Sequence, residues 1–290
     1  MKTKVRIIIF FLLISLLSLN INIKNVSAES TSILKVDAKN AIAIDRESKE
    51  VLFEQNAYEL VPMASTTKIL TALITIERGN LDEKFTISKN AASVRGSTVG
   101  YRADEEISVR ELLYGLMFRS GNDAAIALAE GIGGSVEGFA DIMNHYKTGL
   151  GLLDSHFQSP HGLDMTDHYS SAYDLAILTA KGMEYNEFRE VVGSKEISKD
   201  KYNFTRDYCN INKILWKIPG ANGVKTGYTG QAGKCLVSSV NYNGKDIIIV
   251  VLNCPDRWNV TEKIFNYVQE TVAFQEKNYK ELVFLKENDI

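Results

Sequence analysis

The sequence predicts an α/β (α+β) fold: an antiparallel sheet built from both chain ends, flanked by helices, with a helical lobe inserted between its strands. Two strand-like segments, Asn40–Asp45 and Val51–Glu54, lie near the N-terminus, and three more lie between Gly223 and Leu252. Between these regions the apolar residues recur mostly at helical spacing, up to about residue 190. Because strands occur at both ends, we expect one shared sheet with a cleft against the helical lobe.

The first 28 residues have the pattern of a secretory signal peptide. Basic residues precede the apolar run Ile7–Leu19, and Val26-Ser27-Ala28 offers small residues for cleavage. This run is shorter than the ~20 residues that span a bilayer. We therefore expect an exported protein whose mature chain begins at Glu29 and lies outside the cytoplasmic membrane, in the cell wall or at the outer membrane-face periphery.

The composition is that of a globular protein, with 45% hydrophobic residues and a net charge of −3 that gives no reason to expect a nucleic-acid partner. Cys209, Cys235 and Cys254 allow at most one disulfide, so the fold must rest on its core. The four histidines and the scattered cysteines lack the spacing of a metal site. We expect no metal and no other cofactor.

The N-terminal strands are joined by a charged turn at Arg46–Lys49 and lead into a helix that starts at Ser65 and runs to about Arg78. A short strand is predicted at Lys84–Ser88. Ser108 should cap the next helix, with Glu111 as its capping-box partner.

Three further helices complete the predicted lobe. One reaches Glu130 and is broken at Gly131–Gly134, a second covers Ser135 to about Lys147, and a third, capped by Ser170 or Ser171, extends through Met183.

The C-terminal part returns to strands. They are predicted at Gly223–Thr229, Lys234–Val240 and Asp246–Leu252, and Asn243-Gly244 is a strong hairpin signal between the last two. A final amphipathic helix should cover about 258–274, followed by a short strand at Leu282–Leu285.

Ser65 and Lys68 are the first candidates for chemistry, because residues three apart on a helix project from the same face. A lysine can accept a serine proton only if its pKa falls by about three units, through burial or a neighbouring cation. The Ser-x-x-Lys pattern also occurs at Ser32/Lys35 and Ser198/Lys201, but only Ser65 begins a long apolar segment.

Two later motifs offer the remaining parts of an acyl-transfer site. Ser120-Gly121-Asn122 supplies a hydroxyl and an amide from one turn. Lys225-Thr226-Gly227 supplies a cation, a hydroxyl and a glycine that lets a substrate approach a strand. A second Lys-Thr-Gly, at 147–149, ends a predicted helix, where a lysine and a glycine are ordinary residues.

The three motifs in this order resemble those of penicillin-binding proteins and serine β-lactamases. The flanking segments narrow the resemblance to the D-alanyl-D-alanine carboxypeptidases, the low-molecular-mass penicillin-binding proteins, over about Ala41–Asp256. These segments are 63–68, 120–125, 160–164 and 223–229. The fold that this resemblance implies, the DD-peptidase/β-lactamase-like fold, agrees with the pattern of helices and strands.

The resemblance also implies catalytic roles. Ser65 would attack the carbonyl between the two terminal D-alanines of a peptidoglycan stem peptide, and Lys68 would take its proton. Ser120 would pass a proton to the departing D-alanine, while Asn122 would hold the substrate amide and Lys68.

On the substrate side, Lys225 and Thr226 would bind the terminal carboxylate, next to Gly227. The backbone N–H groups of Ser65 and Tyr228 would form the oxyanion hole. Lys225 would also disfavour the charged form of Lys68. β-Lactams would then act as covalent inhibitors.

The sequence departs from many members of this family after Asp256, where only 34 residues follow. We expect a catalytic domain at 29–275 and a short tail at 276–290 without a second β domain, which makes membrane anchoring by the family's usual C-terminal route doubtful.

Two alternatives stay open. One is a β-lactamase of the same fold, although the Glu-x-x-Leu-Asn-like pattern that would supply its deacylating glutamate is absent between Asn122 and Lys225. The other is a non-catalytic penicillin-sensing or wall-binding module. His161 and Asp164 could suggest a Ser-His-Asp triad, but no Gly-x-Ser-x-Gly elbow is present, and we interpret 161–164 as a structural loop.

Overall fold

The computed structural model describes residues 34–271. The predicted signal peptide at 1–28, the tail at 276–290 and the strand at Leu282–Leu285 lie outside these residues. The described part contains nine strands and nine helices: β1 (Asn40–Asp45), β2 (Val51–Gln55), α1 (Lys68–Arg78), β3 (Lys84–Thr86), α2 (Lys89–Ser93), β4 (Glu106–Ser108), α3 (Val109–Phe118), α4 (Asn122–Gly133), α5 (Val136–Gly149), α6 (Ala172–Gly182), α7 (Asn186–Gly193), β5 (Glu196–Ile197), β6 (Tyr208–Cys209), α8 (Ile214–Lys217), β7 (Ala221–Thr229), β8 (Gly233–Tyr242), β9 (Lys245–Leu252) and α9 (257–271).

The main sheet joins the two ends of the chain, as predicted. Its five antiparallel strands follow the order β2-β1-β9-β8-β7, and β1 pairs with β9 from Asn40↔Leu252 to Asp45↔Ile247. Residues Ile247–Leu252 are all buried, and α6 packs against β1 and β9 on one face of this sheet. The sheet therefore has a central strand that contributes both of its faces to the protein interior.

The hairpin between β8 and β9 confirms the prediction from Asn243-Gly244. Both residues have positive φ, at 51° and 82°, which the type I′ hairpin turn requires and which Asn and Gly tolerate. Tyr242 pairs directly with Lys245 across this turn.

Serine caps begin the main helices of the lobe. Ser108, Ser135 and Ser171 each accept a hydrogen bond from the backbone N–H three residues later, at the starts of α3, α5 and α6. These contacts confirm the predicted starts and choose Ser171 over Ser170. No helix formed within residues 34–271 has the length and apolar character needed to cross a membrane.

The predicted break at Gly131–Gly134 starts too early, because α4 continues through Gly133 and the chain breaks from the helix only at Gly134. A Cβ on Gly131 would lie 2.2 Å from the Phe85 ring, so this glycine lets β3 pack closely against the helix. The helix ends only at Gly134, in the left-handed conformation with φ 74°. β3 itself is shorter than predicted and pairs with β4, a strand too short for the sequence pattern to reveal.

The side chain of Glu111 does not complete the predicted capping box. Its buried carboxylate accepts hydrogen bonds from the Thr205 backbone N–H (2.9 Å), the Thr205 hydroxyl (2.6 Å) and the Tyr208 hydroxyl (2.8 Å). A buried carboxylate requires several donors, and here Thr205 and Tyr208 supply them. Glu111 therefore holds the segment that contains these two residues against α3.

Candidate active site

Ser65 lies in a single 3₁₀ turn, Ala64–Thr67, that precedes α1. The prediction that the α-helix itself starts at Ser65 is therefore wrong by one turn. Two local hydrogen bonds explain the tighter turn: Thr66 Oγ1 donates to Met63 O (2.6 Å), and Thr67 Oγ1 donates to Ala64 O (2.9 Å). Ala64 has a φ of 50°, an unusual conformation for a residue with a Cβ.

Lys68 is fully buried, and its Nζ lies 2.9 Å from Ser65 Oγ. The same nitrogen donates to Asn122 Oδ1 (2.8 Å) and to the backbone oxygen of His161 (2.7 Å). A neutral amine has two N–H groups and one lone pair. With Asn122 and His161 as the two acceptors, the lone pair is left to face the Ser65 hydroxyl, which is the geometry of a general base.

The electrostatic surroundings favour that neutral form. Burial and, second, the charge of Lys225 lower the pKa of Lys68 well below its ordinary value, while Asp123 acts in the opposite direction. The predicted influence of Lys225 is therefore present, but burial is the larger cause.

The second motif turns sharply between α3 and α4. Ser120 is buried and has a φ of 58°. Asn122 uses its amide nitrogen to donate to Arg95 O (2.6 Å) as well as holding Lys68. The Asp123 carboxylate accepts hydrogen bonds from the backbone N–H groups of residues 99–101. This turn therefore also fixes the 95–101 segment beside the site.

The third motif lies on β7, and Gly227 lies against the turn that carries Ser65. A Cβ on Gly227 would lie 3.1 Å from the backbone nitrogen of Ser65, a contact tighter than most Cβ contacts, so glycine lets the strand lie close to this turn without displacing it. Thr226 is buried, whereas Tyr228 is 68% exposed.

Lys225 is buried on the same strand, and its Nζ donates to Thr226 O (2.8 Å). Burial and, second, the charge of Arg257 lower the pKa of Lys225 to about 7.

Arg257 is a site residue that the sequence motifs did not reveal. Its Nη1 donates to Gly227 O (2.6 Å) and to Cys235 O (2.9 Å), so it ties the start of α9 to the strand that carries the third motif. A basic residue in the first turn of a helix is disfavoured by the helix dipole. The position of a basic residue at the start of the final helix was therefore the sequence feature that could have pointed to Arg257.

The 161–164 segment is a structural loop around the site, as predicted. His161 contributes its backbone oxygen to Lys68, and burial lowers the pKa of its imidazole to about 3. Asp164 accepts hydrogen bonds from the Thr229 hydroxyl and from the Gln231 backbone N–H, which fixes the loop to the end of β7.

The other copies of the motifs do not take part in this arrangement. Lys201 is exposed and forms an ion pair with Glu190 (2.7 Å), and Lys147 lies at the end of α5. Ser32 lies outside the described residues. Within residues 34–271, no group of three or more His, Cys, Asp or Glu side chains could hold a metal ion.

Known proteins resemble this chain over most of its length. Residues 25–256 match the profile of the peptidase S11 family, described as D-alanyl-D-alanine carboxypeptidase. The chain belongs to this family. It is 38% identical over 228 residues to the D-alanyl-D-alanine carboxypeptidase DacF of Bacillus subtilis and 36% identical over 247 residues to DacC of Escherichia coli. These alignments cover 76% and 80% of the chain but only 58% and 61% of the two relatives.

Solved structures of the family have the same fold. The crystal structure of the Streptomyces K15 DD-transpeptidase matches with a TM-score of 0.77 and 32% identity, over 82% of this chain and 98% of that one. The carboxypeptidase DacD of Francisella tularensis matches with a TM-score of 0.73 and 32% identity, over 81% of this chain and 71% of that one. The DD-peptidase-like fold predicted from the sequence is thus confirmed.

Proposed function

We propose that this protein is a serine-type D-Ala-D-Ala carboxypeptidase that removes the terminal D-alanine from peptidoglycan stem pentapeptides through an acyl-enzyme on Ser65. The observation that carries this proposal is the contact between Lys68 Nζ and Ser65 Oγ at 2.9 Å, inside a buried site where two other acceptors take the lysine N–H groups. The family and its named relatives support the same reaction class.

Acylation would start when Lys68 takes the hydroxyl proton of Ser65. The Ser65 Oγ–carbonyl bond then forms, and the developing oxyanion is stabilised by the N–H groups of Ser65 and Tyr228. The carbonyl–nitrogen bond breaks, and the departing D-alanine amine receives the proton through Ser120. Water then attacks the ester carbonyl, the serine–acyl bond breaks, and Ser65 regains its proton.

The basic groups on and beside β7 account for the choice of a terminal carboxylate. Lys225 and Thr226 would bind this carboxylate, with Gly227 allowing the peptide to lie close to the strand. Since Asn122 uses one amide N–H for Arg95, its second N–H would be offered to the substrate amide.

A penicillin carries a comparable carboxylate and acyl carbonyl, so it would acylate Ser65. The amine that its ring opening releases stays attached and blocks water, so the adduct should persist.

Incubation with a synthetic stem pentapeptide tests this proposal. Mass spectrometry should show a tetrapeptide and free D-alanine with the intact protein, and neither product with Ser65→Ala. Rapid hydrolysis of penicillin instead would favour the β-lactamase alternative, and penicillin labelling without D-alanine release would favour the sensing module.

We further propose that the protein is exported and that its signal is removed before Glu29, because Val26-Ser27-Ala28 precedes this position. N-terminal sequencing of the exported protein should begin at Glu29. A sequence that began at Met1 would contradict the proposed cleavage.

A further inference from the structure

His168 is a buried histidine that contacts the Ala64–Thr67 turn that carries Ser65, here called the nucleophile turn, and it has no part in the proposed reaction steps. Its Nδ1 accepts a hydrogen bond from the Gln158 backbone N–H (2.9 Å), and its Nε2 lies 2.8 Å from Thr67 Oγ1. A backbone N–H can only donate, so Nδ1 carries no proton. The proton of the neutral ring is therefore on Nε2, which donates to the Thr67 hydroxyl.

The Thr67 hydroxyl in turn donates a hydrogen bond to Ala64, the residue before Ser65. Because its hydroxyl oxygen accepts from His168, its own proton is free to be donated to Ala64 O, at 2.9 Å. The result is a one-way chain of hydrogen bonds that ends on the carbonyl of Ala64. This carbonyl belongs to a residue with a φ of 50°, a conformation that needs outside support when the residue is not glycine.

The Ala64 carbonyl and the Ser65 N–H belong to the same peptide unit. A trans peptide is planar, with its C=O and N–H pointing in opposite directions, so whatever fixes the carbonyl also fixes the direction of the N–H. The N–H side of this unit lies against β7, because a Cβ on Gly227 would be 3.1 Å from the Ser65 nitrogen.

We propose that His168 and Thr67 are positioning residues that aim the Ser65 N–H into the oxyanion hole, a role that rests on the proposed function. The two side chains touch neither the substrate nor the reacting atoms. They act through the Ala64–Ser65 peptide unit, so their contribution should appear in the acylation step and not in substrate affinity.

Stopped-flow acylation by a fluorescent penicillin separates these two quantities. His168→Ala and Thr67→Val should each lower the saturating acylation rate constant by about 10- to 100-fold, less than the ~10²- to 10³-fold expected for deleting an oxyanion donor. The penicillin dissociation constant should stay within about 3-fold. His168→Gln should recover most of the rate, because a glutamine amide can accept from Gln158 N–H and donate to Thr67.

Two matched controls separate positioning from general loss of packing. His156→Ala removes a histidine from the same segment whose ring contacts Asp167 O instead of the nucleophile turn. Thr75→Val removes a buried hydroxyl from α1, the helix that follows the Thr67 turn, where it donates to Thr71 O (2.8 Å). Both controls should acylate within about 3-fold of the unmodified protein.

Acylation of His168→Ala and Thr67→Val at the rates of their controls, while the unmodified protein reacts normally, would overturn this inference alone. A His168→Gln protein as slow as His168→Ala would also overturn it. Failure of the unmodified protein to be acylated would overturn the proposed function and this inference together. Should His168→Ala fail to fold, Thr67→Val and His168→Gln give the same test.

Discussion

The Gly162→Ala variant tests the close contact between the 161–164 loop and the nucleophile turn, Ala64–Thr67. A Cβ at this position would lie 2.0 Å from Ala64 O and 2.6 Å from Thr67 Oγ1, and Gly162 has a φ of 83°. The first contact is closer than ordinary van der Waals contact by more than 1 Å. Since the blocking atom belongs to the backbone, the loop or the turn has to move.

The expected cost combines two effects. Forcing an additional carbon into a packed site costs about 1–3 kcal/mol, and placing a residue with a Cβ in the left-handed region costs about 1–2 kcal/mol. The free energy of unfolding should therefore fall by about 2–5 kcal/mol. A displacement of about 1 Å in the turn should also lower the rate of D-alanine release by roughly 100-fold.

Urea unfolding and a pentapeptide assay measure both effects, with Gly149→Ala as the control. Gly149 lies at the end of α5, has no atom within 4 Å of an added Cβ, and belongs to the second Lys-Thr-Gly copy. This variant should keep full activity and lose no stability. A Gly162→Ala protein with unchanged stability and activity would refute the close contact between the loop and the Ala64 carbonyl.

Two further predictions concern Lys225. Lys225→Ala should lower carboxypeptidase activity by at least about 100-fold, because it removes the basic group proposed to bind the substrate carboxylate. Lys147→Ala should change the activity less than about 3-fold. Equal losses would show that the copy at 225–227 has no special part in the site. Folding lowers the pKa of Lys225 from 10.5 to about 7. Between pH 7 and pH 10.5 the unfolded chain therefore binds more protons at Lys225 than the folded protein does. The contribution of Lys225 to the free energy of unfolding consequently rises with pH in this range. In urea unfolding, the free energy of unfolding of the unmodified protein relative to Lys225→Met should therefore increase from about pH 7 to about pH 10. Lys147→Met serves as the control. If the free energies of unfolding of the unmodified protein and of Lys225→Met changed with pH in parallel, the buried position of Lys225 would be contradicted.

The sheet and the three motifs could be predicted because each depends on local pattern. Short runs rich in β-branched residues and an Asn-Gly turn locate β8 and β9, and serine caps locate helix starts. The order of Ser65-x-x-Lys68, Ser120-x-Asn122 and Lys225-Thr226-Gly227 is likewise visible in the chain. These signals need no knowledge of what packs against them.

The missed features depend on contacts between distant segments. Glu111 has the position of a capping-box residue, but donors at Thr205 and Tyr208 compete for its carboxylate. The second acceptor for Lys68 is a backbone oxygen of His161, which no side-chain motif can indicate. Arg257 reaches β7 only because α9 starts beside that strand. Tertiary packing decided each of these cases.

The roles of Ser65 as nucleophile and Lys68 as its base can be tested by intact-protein mass spectrometry after incubation with penicillin. The protein should gain the mass of one penicillin, located on the peptide that contains Ser65, and the adduct should outlast a peptide turnover by a wide margin. Ser65→Ala should gain no mass, and Lys68→Ala should gain it far more slowly. An adduct on another residue, or an unchanged rate in Lys68→Ala, would contradict these roles.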